Sequence, residues 1–312
     1  MPDVRVGVVG VGALGQHHAR VYAGIAGAKL AGVYDADPVR AREVAERYGT
    51  PVFAELPELL REVDAVSVAV PTVDHHRVSR AALEAGKDVL VEKPMTTTLE
   101  EADDLIRAAE SRGAVLQVGH IERFNPATEV LKRVPRPRFI EVHRMGSFSP
   151  RSLDIDVVLD LMIHDLDIVL ALDGSEAVGV DAVGVAVLTP KVDIANARLQ
   201  FASGLIANLT ASRVSVEKVR KFRVFAPRTY VSADFTARAA QVYRLVQGPD
   251  GRPDIAVEKV AAPEEEPLRR QLEAFVGAVQ ARSRPVVGGA DGRRALALAH
   301  TILSRMGTAP PS

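Results

Sequence analysis

The sequence predicts an α/β protein with a doubly wound parallel sheet at its N-terminus and an α+β domain with a large, mostly antiparallel open sheet after it. In the first 120 residues, short Val-rich runs alternate with helical patterns, which is typical of buried parallel strands. Beyond that point strands follow one another through turns, as in antiparallel sheets. A chain of 312 residues also exceeds one ordinary core. We therefore expect two domains, residues 1–119 and 120–312.

The first domain is predicted to contain five buried strands, each bounded by Gly, Pro or Asp. These strands are Val4–Val9, Lys29–Tyr34, Ala65–Val70, Asp88–Val91 and Ala114–Val118. Helical patterns separate them at Leu14–Ile25, Pro38–Tyr48, Asp74–Ala85 and Leu99–Ser111. Asp37 before Pro38 is a plausible helix cap, and Thr98 with Glu101 has the spacing of a capping box.

The second domain is predicted to consist mainly of strands, with helices near its two ends. The strands are Arg138–Ser147, Gly179–Leu188, Ile194–Phe201, Leu205–Ser212, Lys221–Ala226, Tyr230–Ala233, Val242–Val246 and Ile255–Val260. The helices are Pro126–Val134, Val157–Leu172, Pro267–Ala281 and Gly292–Met306. Such a run of strands without intervening helices indicates one open antiparallel sheet.

Composition excludes several classes of function. A net charge of −1 provides no long-range field for nucleic acid or for an anionic membrane. The chain has no cysteine, so thiolate catalysis and cysteine metal sites are excluded. No apolar run approaches the roughly 20 residues that span a bilayer, and the N-terminus does not resemble a signal peptide. We therefore expect a cytoplasmic enzyme.

The segment Gly10-Val11-Gly12-Ala13-Leu14-Gly15 is a G-x-G-x-x-G that follows a strand and precedes a helix. In a Rossmann dinucleotide-binding unit, the first glycine allows the tight turn, the second admits the pyrophosphate, and the third lets the helix pack on the strand. The alternative interpretation is a flexible turn. The candidate cofactor-binding residues are Gly10, Gly12, Ala13, Leu14 and Gly15.

Asp35 lies 20 residues beyond Gly15, at the end of the second predicted strand. A carboxylate there accepts hydrogen bonds from the ribose hydroxyls of NAD and repels the 2′-phosphate of NADP. Its alternative role is a turn or helix-capping aspartate. Arg40 and Arg42 would favour NADP, but the pattern places them within the next helix. The sequence therefore favours NAD over NADP.

Two further motifs identify a family. Val70-Pro71-Thr72-Val73-Asp74-His75 follows one strand, and Glu92-Lys93-Pro94 follows another. With the glycine loop, they resemble the glucose-fructose oxidoreductase/inositol dehydrogenase (Gfo/Idh/MocA) family over essentially the whole chain. The resemblance adds six residues to the expected cofactor site: Pro71, Thr72, His75, Glu92, Lys93 and Pro94.

The resemblance also implies catalytic residues. The lysine of Glu-Lys-Pro, here Lys93, would lie between nicotinamide and substrate and stabilise charge on the reacting oxygen. Asp160 and His164 match the family's Asp-x-x-x-His pattern, and residues four apart share one helix face. His164 is then the candidate general base, and Asp160 would bind a substrate hydroxyl or orient the histidine. The alternatives are a surface Asp/His pair or a metal site with Asp165 and Asp167.

No metal is expected, because one helix cannot direct all four of these side chains to one point. Asp165 and Asp167 are instead expected on the helix surface or between domains.

Within the family, Gly119-His120-Ile121-Glu122-Arg123-Phe124-Asn125-Pro126 and the segment 148–167 look most like UDP-N-acetylglucosamine 3-dehydrogenases. A nucleotide sugar needs cations for its diphosphate, and Arg123, Arg144 and Arg151 are the candidates. Their alternative role is that of solvated surface arginines. Asn125 would contact the sugar or cap the next helix. These four residues, with Asp160 and His164, form the expected substrate site: Arg123, Asn125, Arg144, Arg151, Asp160 and His164.

The expected function is NAD-dependent oxidation of a sugar ring hydroxyl to a ketone, at the 3-hydroxyl of a UDP-linked N-acetylglucosamine. The alternatives are another sugar or inositol dehydrogenase of the same family, or a non-catalytic NAD-binding regulator. The expected partners are a small-molecule sugar or nucleotide sugar and further copies of the chain in a homodimer or homotetramer. Nucleic acid and membrane partners are not expected.

Overall fold

The structure, a computed structural model, describes residues 2–148, 155–261 and 265–306. It divides into two compact units, Met1–Ile121 with Glu265–Arg293, and Glu122–Glu264 with Arg294–Ser312. The predicted second domain, residues 120–312, includes residues 265–293, whereas these residues belong to the first unit. The reason is an apolar helix face: Leu272, Phe275 and Val276 share a buried cluster with Tyr22 and Ile25.

The first unit contains a five-stranded parallel sheet, which confirms the predicted fold class of this part. Its strands are β1 (Val4–Val9), β2 (Ala28–Tyr34), β3 (Ala65–Val68), β4 (Asp88–Glu92) and β5 (Leu116–Gly119). Their spatial order is β2-β1-β3-β4-β5. The chain thus leaves β1 toward one edge and returns to the other side of it with β3, and ligands bind at such a switch point in doubly wound sheets.

Helices separate the strands of the first unit. They are α1 (Gly15–Tyr22), α2 (Pro38–Tyr48), α3 (Leu56–Glu62), α4 (Thr72–Glu84) and α5 (Leu99–Arg112). Asp37 caps α2 and Thr98 forms a capping box with Glu101, so both predicted caps are confirmed. The sequence analysis missed α3, whose seven residues are too few to show a helical period. The helix α8 (Pro267–Ala281) completes this unit.

The second unit contains an eight-stranded sheet in which one pair is parallel and the other pairs are antiparallel, as predicted. Its strands are β6 (Phe139–Met145), β7 (Ala177–Val185), β8 (Ile194–Phe201), β9 (Ile206–Ser212), β10 (Val219–Ala226), β11 (Thr229–Asp234), β12 (Ala239–Gln247) and β13 (Pro253–Ala261). The order is β13-β12-β11-β10-β6-β9-β8-β7.

The predicted helix over Val157–Leu172 differs in its first turn. A π-helical segment, Val158–Met162, leads into α7 (Ile163–Asp173). Single π-helical turns are often found at functional sites, and a sequence period does not reveal them. A 3-10 turn (Ile121–Phe124) and α6 (Pro126–Leu131) precede β6, and α9 (Gly289–Arg305) ends the described chain.

The two faces of the second sheet have different chemistry. One face is apolar, and α6 and α7 pack on it together with part of α9. On β8, exposed and buried residues alternate strictly, which shows that the other face of this strand is open. Among the described residues, no helix is both long and apolar enough to span a membrane.

Candidate functional site

The glycine loop connects β1 to α1 in the geometry that the motif predicts. Gly10 has φ +81°, and a β-carbon there would lie 2.8 Å from the Ala69 carbonyl oxygen. A β-carbon on Gly15 would lie 1.8 Å from the Gly10 oxygen, so α1 packs directly against the loop. Gly12 differs, because the nearest atom to its added β-carbon is 3.9 Å away. Gly12 thus leaves open space for a ligand beside the backbone.

A cavity of about 670 Å³ lies at this loop, near the switch point of the parallel sheet. Six of the predicted cofactor residues line it: Gly10, Gly12, Ala13, Leu14, Asp35 and Pro71. Leu14, one of these residues, is 54% exposed. The sequence analysis missed other lining residues, among them Tyr34, Asp74 and Arg77.

Asp35 is held at the floor of the cavity by the protein backbone. Its Oδ2 accepts a hydrogen bond from the Val11 N–H at 2.7 Å, and its Oδ1 accepts one from the Asp37 N–H at 2.9 Å. Its side chain is only 7% exposed. The carboxylate retains acceptor capacity for ribose hydroxyls.

Arg40 reaches back from the first turn of α2, so that Nη1 lies 3.4 Å from Asp35 Oδ1. Its side chain is 48% exposed and lines the same cavity. The sequence analysis set Arg40 aside because of its place in the helix, but an arginine side chain is long enough to return to the strand end.

His75 does not line this cavity, in contrast to the expectation from the family. It is 2% exposed, with Nδ1 2.8 Å from the Pro94 carbonyl oxygen and Nε2 2.9 Å from the Val70 carbonyl oxygen. Burial lowers its pKa, and a neutral ring donates to one of these carbonyls at a time. His75 therefore ties the end of β3 to the turn after β4. Thr72, the first residue of α4, is outside the cavity lining as well.

The Glu92-Lys93-Pro94 turn follows β4, with a cis peptide bond before Pro94. Lys93 is half-buried, whereas Glu92 is buried. Glu92 Oε1 lies 3.2 Å from His18 Nε2, a contact between residues far apart in the sequence that no local pattern predicts. Burial opposes ionisation of Glu92, but the hydrogen bond and charge of His18 and the charge of Lys93 together hold its pKa below the usual range.

In the second unit, Asp160 and His164 lie on consecutive parts of one helical stretch. Asp160 is in the π-helical segment, and His164 is the second residue of α7. Both residues are half-buried, so the helix neither exposes them fully to solvent nor encloses them in the core. A carboxylate and an imidazole in this environment are suited to hydrogen bonding and proton transfer.

Arg144 and Arg123 are engaged within the second unit. Arg144 is 3% exposed; its Nε and Nη2 each donate to Asp165 at 2.7 Å, and its Nη1 donates to Glu122 at 2.8 Å. Arg123 Nη1 donates to Asp167 at 3.2 Å. The structure thus gives Arg144 an internal role instead of the expected contact with a diphosphate. Arg151 lies outside the described residues.

The expectation that Asp165 and Asp167 are surface or interdomain residues was wrong, since each is 2% exposed and paired with arginine. A helical pattern in the sequence does not reveal that an arginine from another element pairs with an aspartate of the helix, as Arg144 of β6 does with Asp165. Asn125 is also internal. Its Oδ1 accepts from the Ala127 N–H and caps α6, and its Nδ2 donates to Glu122.

The residues at the first cavity fit a dinucleotide. The backbone beside Gly12 is open to a pyrophosphate, and Asp35 would hold the adenosine ribose through its hydroxyls. The carboxylate repels a 2′-phosphate, which agrees with NAD, although Arg40 lies beside it.

Comparison with known proteins also indicates an NAD-binding protein. Residues 4–120 match the oxidoreductase family with an NAD-binding Rossmann fold, and residues 133–231 match the GFO/IDH/MocA C-terminal domain. The chain is 44% identical over 302 residues to UDP-N-acetylglucosamine 3-dehydrogenase from Acidithiobacillus ferrooxidans, which covers 96% of both chains. It is 33% identical over 233 residues to scyllo-inositol 2-dehydrogenase (NAD(+)) from Bacillus subtilis, which covers 68% of both.

Solved structures are similar over almost the entire chain. UDP-N-acetylglucosamine 3-dehydrogenase from Acidithiobacillus ferrooxidans superposes with a TM-score of 0.91 at 42% identity, over 98% of both chains. A levoglucosan dehydrogenase in complex with NADH and levoglucosan gives 0.88 at 19% identity over 97% of both, which is a likeness of fold alone. The glycine loop, the Asp35 site and these matches establish that the chain is an NAD-binding oxidoreductase of the GFO/IDH/MocA family.

Proposed function

We propose that this protein oxidises the 3-hydroxyl of UDP-N-acetylglucosamine to a ketone with NAD. The observation that carries this proposal is the 44% identity, over 96% of both chains, to an enzyme named for that reaction. The cavity at the glycine loop and the Asp35 carboxylate support the choice of cofactor. When bound, NAD accepts the hydride that leaves the sugar carbon.

The proposed roles of the side chains follow from their chemistry. The imidazole of His164 takes the proton of the reacting hydroxyl, so the alcohol loses a proton to the protein and a hydride to the cofactor. The Lys93 ammonium donates a hydrogen bond to the same oxygen and stabilises the negative charge that develops on it. Asp160 accepts a hydrogen bond from a neighbouring sugar hydroxyl or orients His164. Glu92 and His75 support the Lys93 turn from within the fold.

Of the expected diphosphate ligands, Arg151 stays a prediction. We leave Arg144 and Asn125 out of the proposed substrate site because both are buried and hydrogen-bonded inside the second unit. Arg123 is left out as well, since its guanidinium is bound to Asp167 and its side chain is only 12% exposed.

The test is NADH formation by the purified protein with NAD and UDP-N-acetylglucosamine, with mass spectrometry of the product. A product that is two hydrogens lighter than the substrate would support the proposal. Chemical reduction of that product with a deuteride reagent should then place deuterium at C3. Lys93→Ala and His164→Ala should each lower kcat by about 10²- to 10⁴-fold. Lys132→Ala, at a side chain that is 51% exposed, should leave kcat unchanged. Turnover of scyllo-inositol without turnover of the UDP-sugar would refute the assignment and favour the activity of the second relative.

We also propose a homodimer or homotetramer that forms through the open face of the second sheet. Four aromatic rings lie side by side across neighbouring strands: Phe139, Phe225, Tyr230 and Tyr243. Their successive ring centroids are 5.7, 4.7 and 5.1 Å apart. Such a row is typical of surfaces that bind another protein. Light scattering should give at least two chains per particle, and Tyr230→Arg should reduce that number.

We further propose a cytoplasmic location, because NAD and UDP-sugars are cytoplasmic metabolites. Fractionation of cells should recover the protein with cytoplasmic marker enzymes.

A further inference from the structure

A buried polar chain lies behind the Glu92-Lys93-Pro94 turn. His18, on α1, is 2% exposed, and its Nε2 is 3.2 Å from Glu92 Oε1. Its Nδ1 is 2.8 Å from the hydroxyl of Ser67 on β3, which is fully buried. These hydrogen-bonded side chains therefore connect α1, which follows the glycine loop, with the central strand β3 and with the end of β4 before Lys93.

The chemistry of this chain defines the direction of its hydrogen bonds. An ionised carboxylate only accepts, so Nε2 of His18 must carry a proton and donate it to Glu92. With a neutral ring, Nδ1 then accepts from the Ser67 hydroxyl, and with a charged ring it donates to the same hydroxyl. A serine satisfies both states, which an apolar or purely donating side chain would not do.

Glu92 has little freedom to move. A β-carbon at Gly119, its neighbour on β5, would lie 2.6 Å from Oε1, so the carboxylate fills the space that this glycine leaves. Its Oε2 accepts from the Lys93 N–H at 3.3 Å. The other titratable groups near it are His75 from α4, Tyr22 from α1 and Lys93 itself. Burial keeps Tyr22 neutral by raising its pKa.

We propose that His18, hydrogen-bonded to Ser67, is a positioning residue that fixes the Glu92 carboxylate and thereby the position of Lys93. This inference rests on the proposed function for the role of Lys93 in turnover. Without the donor, the pKa of the buried Glu92 carboxylate rises and the carboxylate is free to turn, so the Lys93 N–H loses its fixed acceptor. His18 contacts neither substrate nor cofactor in this account, and its effect passes through Glu92.

The variants are His18→Leu and Ser67→Ala, with His17→Leu as the matched control because His17 is the adjacent residue and is exposed. We expect His18→Leu, which removes the donor to Glu92, to lower kcat by about 10- to 100-fold while KM for NAD changes little. The acid limb of the pH profile of kcat should move up by about one pH unit, the shift expected from loss of one charge-assisted hydrogen bond. Ser67→Ala should shift it in the same direction by less.

A readout in the protein without cofactor or substrate separates this inference from the proposed function. The carboxyl ¹³C resonance of Glu92, assigned with Glu92→Gln, is titrated in the wild type and in the two variants. A midpoint that rises in His18→Leu and Ser67→Ala, with His17→Leu like the wild type, supports the inference. An unchanged midpoint, or a loss of kcat without movement of the acid limb, overturns it. If Lys93→Ala turns over like the wild type, the proposed function fails, while the Glu92 titration still tests the link to His18.

Discussion

Removing the Arg144 guanidinium should destabilise the second unit far more than removing an arginine whose ion pair is exposed to water. Arg144 makes three hydrogen bonds of 2.7 to 2.8 Å to Asp165 and Glu122, and the side chains of all three residues are less than 10% exposed. Arg144→Ala leaves the buried Asp165 carboxylate without its cation and leaves Glu122 only Arg220, whose Nη1 is 3.6 Å away. Loss of one partner from a buried ion pair costs roughly 3–5 kcal/mol of unfolding free energy.

Arg133 is the control. Its Nη1 is 2.8 Å from Glu258 Oε1, a distance like those of Arg144, but the two side chains are 47% and 44% exposed. Water screens this pair and solvates Glu258 after the arginine is removed, so Arg133→Ala should change the unfolding free energy far less than Arg144→Ala. The difference between the two variants reports what burial and the additional hydrogen bonds of Arg144 contribute together.

The assay is urea unfolding monitored by circular dichroism, repeated between neutral and acidic pH. Arg144 holds the pKa of Glu122 below its usual range against the effect of burial, so this group stabilises the wild type above its ordinary pKa, and that stability is lost as the pH falls. In Arg144→Ala the carboxylates take up protons instead. The difference in unfolding free energy between the wild type and Arg144→Ala should therefore become smaller as the pH drops below about 5. Equal losses for Arg144→Ala and Arg133→Ala, or a difference independent of pH, would refute the reasoning.

Three further predictions concern the cofactor site and the acid stability. Asp35→Ser should lower kcat/KM with NAD by about tenfold and raise it with NADP, because Arg40 then meets a phosphate instead of a carboxylate; steady-state kinetics with both cofactors checks this. Gly12→Ala should fold normally but bind NAD at least about tenfold more weakly by calorimetry, whereas Gly15→Ala should lower the melting temperature because its β-carbon meets the Gly10 oxygen. Asp193 is buried, but three backbone N–H groups, a threonine hydroxyl and Arg213 hold its pKa well below the usual range. Its stabilisation is present above the ordinary pKa of aspartate and declines in more acidic solution, so Asp193→Asn should reduce unfolding free energy at pH 7 by about 2–3 kcal/mol and flatten the acid limb of stability.

Much of the fold could be predicted because local patterns determine it. The strand Ile194–Phe201 has the same bounds in the prediction and in the structure, since alternating apolar and polar residues fix which face is buried. The cap at Asp37 was predictable because its side chain bonds only to the next few N–H groups. By contrast, α3 is too short to display a period, and the π-helical segment has no sequence signature known to us.

The candidate site was predictable where a motif determines backbone geometry, as at Gly10 and Gly15, and less so where partners come from distant parts of the chain. His18 and Glu92 are 74 positions apart in the numbering of the chain, and nothing local connects them. Arg144 resembles any surface arginine in the sequence, because its role depends on Asp165 from another element. Buried polar partners thus mark the limit of what periodicity and motifs reveal.

Because residues 265–293 belong to the first unit, this unit cannot finish folding until most of the protein has been translated. During synthesis, the glycine loop and all five strands of the parallel sheet leave the ribosome before α8 does. Until α8 emerges, the apolar surface that packs against Leu272 and Phe275 stays exposed to solvent. If translation stalls or a protease cuts before residue 265, the first unit lacks α8. The intermediate then contains a formed glycine loop and an exposed apolar surface, which makes it prone to aggregation. A coding strategy that slows translation before residue 265 should therefore increase aggregation, whereas added fragment 265–293 should relieve it.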